Sequence, residues 1–331
     1  MLRNFADNYI LPAYQDLDRL TQNLDTTTSS FLNSPTSESL VSAQTAWINA
    51  YDAWQYAQHF EFGPAETSSG TLLQNIGTYP INTTQTEAYI SSGDSSLNNF
   101  NRDTRGFLAI EYLLFGKPGN TELVNSFTGS AGANRRAYLR SIVRDLRNRI
   151  SSTRTQWENT YRNEFIINTG TDVASSTTKL FNSFVASYEN LKNFKFGVPL
   201  GKRAGQVSTE PSRVEAYYSG RSTDFAKSHF TSVVQLWEGT TLSGDAGIGF
   251  EEYLSTVTGG EALISSTKAQ LEITRTAINA LGTSPLQTQI SSNFNSVNTV
   301  HTELQRMTRY FKSDMASLLG LTITFSSNDG D

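Results

Sequence analysis

Apolar residues recur every three or four positions along nearly all of the 331-residue chain, and this periodicity constrains the fold more than any other feature. Such spacing places apolar side chains on one face of an α-helix. Long helices are predicted at about residues 4–32, 37–62, 134–167, 172–196, 260–281 and 291–319. Only residues 322–325 alternate as a strand does, and this run is too short to change the fold class. The sequence therefore predicts an all-α protein.

The order of the segments suggests an internal duplication. In each half a long helix is followed by a Gly-Phe step, at 106–107 and at 249–250, and then by another long helix. Sequential helices joined by short loops lie antiparallel. We therefore predict two pseudo-symmetric, up-and-down four-helix-bundle-like domains packed side by side. They comprise residues 1–197 and 198–331, and residues 198–222 form the connecting loop.

Composition excludes several classes of function. The chain has no cysteine, which excludes disulfides, cysteine nucleophiles and cysteine-based zinc sites. A net charge of −5 gives no overall attraction to nucleic acid, and none is expected as a partner. No apolar run approaches the roughly 18 residues that span a bilayer. No secretory signal follows Met1, so we expect that an exported form has had its leader removed.

The segment from Arg105 to Gly116 reads Arg-Gly-Phe-Leu-Ala-Ile-Glu-Tyr-Leu-Leu-Phe-Gly. It resembles the imelysin family, whose signature is Gly-x-His-x-x-Glu, and Leu108 stands at the position of the signature histidine. Side chains three residues apart share one helix face, so a histidine there would share a cation with Glu111. A leucine cannot bind a metal. Further segments that resemble the family are residues 60–64, 79–82, 201–203 and 210–225.

The resemblance implies two helical bundles with a ligand pocket between them, beside the motif helix. It also implies an exported protein of the periplasm or cell surface, lipid-anchored in its precursor and associated with iron uptake. Members are classed as metallopeptidases or as metal- or polysaccharide-binding proteins. Because Leu108 replaces the histidine, we predict a non-catalytic protein that binds an iron-related ligand, a peptide or a glycan, with outer-membrane iron-uptake proteins as partners.

Seven side chains are candidates for ligand binding, and none is assigned a catalytic or metal-binding role. Glu111 and Arg105 offer a carboxylate and a cation at the motif segment, and the long irregular loop before residue 222 offers further polar groups. A buried carboxylate paired with an arginine or tyrosine, or a hydrogen-bonded histidine, is the structural alternative for such residues. The candidates are Glu111, Arg105, Leu108, Arg203, Glu215, Tyr218 and His59.

Two rival functions remain open. A metallopeptidase would hold iron or another divalent metal through Glu111, His59 and a carboxylate from Glu210, Glu215 or Asp224, because a catalytic metal needs about three protein ligands. A structural or adhesive surface protein would use the helices as a rigid spacer, and its pocket would have no ligand.

Overall fold

The structure is a computed structural model of the chain, and it describes residues 1–99 and 101–325. The prediction of an all-α protein is confirmed, since helices form most of the described chain. In chain order the α-helices are α1 (Leu2–Phe5), α2 (Leu11–Asn33), α3 (Ser37–Ala57), α4 (Leu72–Ile76), α5 (Thr83–Ser92), α6 (Gly106–Phe115), α7 (Asn120–Ser126), α8 (Ala133–Gln156), α9 (Arg162–Ile167), α10 (Ser176–Asn190), α11 (Ser222–Glu238), α12 (Phe250–Ser255), α13 (Gly260–Asn279), α14 (Leu286–Ser292), α15 (Phe294–Thr308) and α16 (Met315–Leu319).

Strand structure in the described residues is confined to one small hairpin. Strands β1 (Glu66–Thr67) and β2 (Gly70–Thr71) pair antiparallel, with Glu66 opposite Thr71. Short 3₁₀ turns occupy Gly63–Ala65, Arg102–Thr104 and Pro211–Arg213. Residues 322–325, which alternate in sequence, form no strand. None of the helices in the described part of the chain is both long and apolar enough to cross a membrane.

Several of the helices continue through π-helical segments rather than ending. These segments are Ala6–Ile10, Trp157–Tyr161, Leu191–Gly197 and Arg309–Asp314. The first joins α1 to α2 directly before Pro12. Proline has no N–H and its ring crowds the carbonyl four residues earlier, which disfavours a regular α-helical bond there. The result is one continuous helix from residue 2 to residue 33.

The chain divides into two compact units. Unit 1 comprises Met1–Ala13, Gln55–Phe62 and the chain from Trp157 onward, and unit 2 comprises Tyr14–Trp54 and Gly63–Gln156. Each unit is therefore assembled from segments that alternate along the sequence. The boundary predicted between residues 197 and 198 lies inside unit 1 in this division, and it stays a prediction.

Each unit has an aromatic core. In unit 2, the rings of Trp47 and Tyr51 stack with their centroids 5.1 Å apart, and the Trp47 indole N–H donates to the Phe107 carbonyl at 2.8 Å. In unit 1, the Phe250 ring lies 5.3 Å from that of Phe184 and 5.7 Å from that of Phe5. The Gly-Phe steps of both predicted repeats thus place their phenylalanine in a buried core.

Candidate functional site

The motif helix α6 begins with a glycine that the packing of unit 2 requires. Gly106 has a φ of +76°, and a Cβ added to it would lie 2.4 Å from the backbone oxygen of Ile76, at the end of α4. A residue with a side chain would be strained by the left-handed backbone and would clash with α4, so only glycine fits at position 106. The motif glycine therefore fixes the approach of α4 to α6.

Leu108 and Glu111 lie one helical turn apart in the interior of unit 2. Their exposed fractions are 3% and 1%. Residues three apart share a helix face, so the leucine occupies the place from which a histidine would reach a ligand shared with the glutamate. Leu108 supplies buried apolar surface there instead of a metal donor.

Arg105 precedes α6 in extended conformation, with φ −139° and ψ −176°. Its side chain is only 6% exposed, and its buried Nε has no hydrogen-bond partner among the described residues. Burial lowers the pKa of the guanidinium, and repulsion from Arg149 lowers it further, whereas Asp145 partly offsets both. The groups around Arg105 therefore do not fully compensate the positive charge of its guanidinium.

In unit 1 the structure assembles a buried polar network around His59. The His59 Nε2 lies 2.6 Å from the Ser232 hydroxyl oxygen, and the Ser232 hydroxyl donates to the backbone oxygens of Gln55 at 2.9 Å and His229 at 2.7 Å. The His229 ring lies 5.2 Å from that of His59, and its Nε2 is 2.9 Å from the Ser187 hydroxyl. Two backbone carbonyls therefore compete with the His59 ring for the single Ser232 proton, so this hydroxyl is not held by the histidine alone.

A buried ion pair lies in the same network. The Lys195 ammonium is 2.8 Å from a Glu215 carboxylate oxygen and donates to the Gln55 side-chain oxygen. Both charged side chains are almost completely buried, and Lys195 is 2% exposed. Gln55 connects this pair to Ser232 through its backbone oxygen. His59 and Glu215, two of the predicted site residues, thus belong to one connected set of buried groups.

The two histidines of this network are neutral. Burial lowers the pKa of His59 to about 3, and the nearby Lys195 charge contributes in the same direction. Burial and Lys195 also hold the pKa of His229 well below its usual value. A protonated histidine beside the Lys195 ammonium would be unfavourable, because charges repel strongly in an interior of low dielectric constant. The neutral rings avoid this repulsion.

The other predicted residues of unit 1 lie nearer the surface. Arg203 is partly exposed, and its guanidinium lies 5.3 Å from the centroid of the Phe194 ring. Tyr218 is partly exposed and packs edge-on against Tyr217 at 5.2 Å. Since Arg105, Leu108 and Glu111 belong to unit 2, a pocket shared by all seven predicted residues stays a prediction.

Sequence reasoning did not single out Lys195, His229 or Ser232. The relevant signal is weak: Lys192 and Lys195 stand three residues apart within an apolar run that includes Leu191 and Phe196. A lysine on the apolar face of a helix must be paired in the interior, and both are buried beside glutamates. Their partners cannot be identified from spacing alone.

The described residues do not fit a resident metal. Within residues 1–99 and 101–325, no group of three or more histidine, aspartate or glutamate side chains is arranged to hold a metal ion. The Lys195 ammonium beside His59 and His229 opposes a second cation. Leu108 removes the donor that the motif helix would contribute.

The fold and the motif helix together define a class of proteins. Its members are all-α, and their motif helix starts at a glycine that is followed, after four residues, by a buried glutamate. The profile of the imelysin family, also designated peptidase family M75, matches residues 10–308. The chain belongs to the imelysin family.

Individual relatives agree with this assignment. Iron-regulated protein A of Synechococcus elongatus is 23% identical over 255 residues, which cover 74% of this chain. The chain spans 65% of the length of that relative. Among solved structures, a protein of Parabacteroides distasonis provisionally named an iron-regulated protein A precursor has a TM-score of 0.78 and 18% identity, covering 96% of this chain and 94% of its own.

An imelysin-like protein from Psychrobacter arcticum has a TM-score of 0.74 and 17% identity, covering 98% of this chain and 96% of its own. Likeness at these identities establishes the fold and nothing about ligands.

Proposed function

We propose that this chain is a non-catalytic imelysin-family protein of the bacterial cell envelope that binds an iron-related ligand, a peptide or a glycan and takes part in iron uptake. The motif segment, with Arg105 and Glu111, is the proposed center of ligand binding. Outer-membrane iron-uptake proteins are its proposed partners, and a lipid anchor in the precursor is its proposed attachment.

The replacement of the signature histidine by Leu108 is the observation that supports the non-catalytic part. Leu108 is buried on the same face of α6 as Glu111, so the histidine is replaced by core packing. A metallopeptidase needs a bound metal with an open position to activate water. The proposal is supported by the search of the described residues, in which no group of three or more histidine, aspartate or glutamate side chains is arranged to hold a metal ion.

The names of two relatives support the iron and envelope parts. One relative is called iron-regulated protein A, and one structural neighbour is described as a precursor of such a protein. A precursor is a chain that is processed, as exported proteins are. Host cells grown with and without iron, followed by cell fractionation, test this part. We expect more protein under iron limitation, in the envelope fraction, and iron-independent cytoplasmic protein would contradict it.

Hydrolysis and metal content test the non-catalytic part. The purified chain is incubated with insulin and with fluorogenic peptides, with and without added Zn²⁺ or Fe²⁺, and its metal content is measured by elemental analysis. We expect substoichiometric metal and no hydrolysis that depends on Glu111. Peptide cleavage that is lost in Glu111→Gln would overturn the proposal in favour of the metallopeptidase.

A reversion sharpens this experiment. Leu108→His restores a donor three residues before Glu111, and Leu108→Asn is the matched control because it places a polar group without a good metal donor at the same position. If Leu108 is the reason that the motif helix binds no metal, only the histidine variant gains metal affinity. Equal metal binding by wild type and both variants would show that the ligands lie elsewhere.

A further inference from the structure

Two cations and three apolar side chains adjoin one another on the surface of unit 1. The Arg203 guanidinium lies 5.3 Å from the centroid of the Phe194 ring, and the Lys202 ammonium lies 5.8 Å from that of the Phe294 ring. Because residues 202 and 203 are successive in the chain, the two rings flank one short loop. Val207 belongs to the same loop. We refer to these side chains as the loop patch, which comprises Phe194, Lys202, Arg203, Val207 and Phe294.

Hydrogen bonds hold the loop, residues 201–209, in a defined conformation. At its base the Glu210 N–H donates to the Pro199 carbonyl at 2.9 Å. Within it, the Gln206 N–H donates to the Arg203 carbonyl at 3.0 Å, and the Arg203 N–H donates to the Gln206 side-chain oxygen at 2.9 Å. These bonds place Val207 next to Arg203, so the apolar tip and the cations lie on one surface.

The loop patch projects from unit 1 and exposes apolar side chains. Val207 is 100% exposed, and a Cβ added to Gly205 would meet nothing within 4 Å. The Phe194 and Phe294 rings are 45% and 37% exposed. A single exposed apolar residue is common and indicates nothing. Three that adjoin one another beside polar groups are typical of an interaction surface.

The positive charges of the loop patch are not compensated by neighbouring carboxylates. Within residues 1–99 and 101–325, neither Lys202 nor Arg203 forms an ion pair. Glu210, which follows the loop, pairs with Arg213 at 2.7 Å. The chain as a whole has a net charge of −5, so any attraction to an anionic partner is local to this surface. The chemistry of the patch fits a partner that is both anionic and apolar.

We propose that the loop patch binds the surface of an anionic lipid bilayer. Val207 enters the boundary between headgroups and acyl chains, and the two phenylalanine rings lie at the same level. Lys202 and Arg203 pair with lipid phosphates. A bilayer is favoured over an acidic protein because a projecting side chain needs no complementary pocket in lipid, whereas the residues that dominate protein interfaces fill well-packed pockets.

This inference deepens the envelope part of the proposed function and rests on it. Two cations and one loop tip bind a bilayer weakly, and stable attachment takes two signals, such as a lipid chain together with a basic patch. The loop patch supplies the second signal beside the proposed lipid anchor. It would orient unit 1 with this loop toward the membrane.

Co-sedimentation of the purified chain with lipid vesicles tests the proposal. One set of vesicles is phosphatidylcholine alone, and the other is phosphatidylcholine mixed with phosphatidylglycerol. We expect at least about tenfold tighter binding to the anionic vesicles, because each lysine or arginine near such a surface changes the affinity about fivefold. NaCl at about 1 M should remove the difference, since it screens charges beyond about 3 Å. No binding to anionic vesicles, or equal binding to both sets, would overturn the proposal.

A double variant localises the charge. Lys202→Gln with Arg203→Gln should weaken binding to anionic vesicles about 25-fold, the product of two such effects. The matched control is Arg19→Gln with Arg147→Gln, which removes the same charge from unit 2, where these side chains are 68% and 43% exposed. Equal weakening by the two double variants would show that only net charge matters and would contradict the loop patch.

A valine variant tests whether the loop enters the bilayer. Val207→Ser should weaken binding about fivefold, as expected when part of one valine side chain no longer leaves water. Val173→Ser is the matched control, because Val173 is 57% exposed elsewhere in unit 1. Thermal unfolding verifies that both variants are folded. Equal affinities of the two variants would overturn the insertion of the loop.

Soluble polyglutamate distinguishes a bilayer from an acidic protein. We expect the chain to bind anionic vesicles more tightly than polyglutamate when the two are compared per anionic group, because polyglutamate offers no apolar phase. Tighter binding to polyglutamate that is lost in the Lys202 and Arg203 double variant would replace the bilayer by an acidic protein partner.

Cell fractionation separates this inference from the proposed function. If anionic vesicles are not bound but the protein is iron-regulated and lies in the envelope fraction, only the assignment of the loop patch is overturned. If the protein is cytoplasmic and independent of iron, the proposed envelope function fails, and the inference that rests on it fails with it.

Discussion

Unit 1 and unit 2 both bury charged side chains, but they compensate the charges differently. In unit 1, Lys195 is paired with Glu215 and hydrogen-bonded to Gln55, and the Ser232 hydroxyl is directed to backbone oxygens. In unit 2, Arg105 is buried, its Nε has no hydrogen-bond partner among the described residues, and Asp145 offsets only part of the effect of burial. Buried atoms without a hydrogen-bond partner also occur in unit 1, at the Nδ1 atoms of His59 and His229, so the difference lies in the pairing of charges.

The difference predicts how each unit responds to the loss of a charged group. Removing one member of the buried pair in unit 1 leaves the charge of the other member uncompensated. Removing Arg105 from unit 2 relieves a burial that is only partly offset in the wild type.

Acid is expected to produce the largest effect on the unit 1 network. The folded pKa of His59, about 3, and that of His229 lie below the unfolded value of about 6.5. The unfolded chain therefore binds more protons below that pH, so the stabilisation is fully present above about pH 6.5 and is lost as the pH falls. His59 alone accounts for about 2.5 kcal/mol of unfolding free energy between pH 7 and pH 4.5, and His229 adds to it in the same direction. Denaturant titrations across this range measure it.

The double variant His59→Gln and His229→Gln controls for carboxylates that also titrate. Its unfolding free energy should depend less steeply on pH than that of the wild type between pH 7 and pH 4.5. An unchanged slope would mean that the two rings are not the source of the acid sensitivity.

Removal of the buried lysine should have the next largest effect. Lys195→Met leaves the Glu215 carboxylate buried without its counter-ion, which is expected to lower the free energy of unfolding by about 3–5 kcal/mol. Denaturant titration at pH 7.5 measures the change. Arg19→Ala is the control, because the Arg19 side chain in its pair with Asp16 is 68% exposed, and such surface pairs contribute about 0–1 kcal/mol.

A second replacement shows whether the unpaired carboxylate causes the loss of stability in Lys195→Met. Adding Glu215→Leu to Lys195→Met should recover most of the loss, since replacing both members of a buried pair by apolar groups is often neutral or stabilising. A double variant that is no more stable than Lys195→Met would attribute the loss to packing and not to the unpaired carboxylate.

The smallest effect on stability is expected for the uncompensated arginine of unit 2. Arg105→Met should change the unfolding free energy by no more than about 1 kcal/mol, because the wild type already bears the cost of burying this cation. Denaturant titration at pH 7.5 measures the change. Destabilisation as large as that of Lys195→Met would show that Arg105 is a structural partner, and the contrast between the two units would not hold.

The helices could be predicted well because the residues that determine each of them lie close together along the chain. The helix predicted at about residues 260–281 is observed as α13, from Gly260 to Asn279. The helix predicted at about residues 4–32 lies within the continuous helix from residue 2 to residue 33. Apolar spacing and glycine positions determine such elements within a few turns of chain, so they can be predicted without knowledge of distant residues.

The polar sites were less predictable because they depend on distant partners. Lys195 and Gln55 are 140 residues apart in sequence and hydrogen-bonded in the structure. Ser232 donates to the Gln55 backbone oxygen, and these two residues are 177 positions apart in sequence. A charged residue on a helix has the same pattern whether it faces solvent or a buried partner, and only tertiary packing decides which. The ligand-binding roles of the seven predicted residues stay predictions.

The π-helical segment Leu191–Gly197 sets a limit on how this sequence can vary in length. It holds both Lys192 and Lys195 in the interior of unit 1. Successive residues of a helix point in different directions around its axis, so deleting one residue between the two lysines would change the direction of one relative to the other. One ammonium would lose its glutamate. A single substitution in this helix can leave both lysines in place, but the insertion or deletion of one residue cannot.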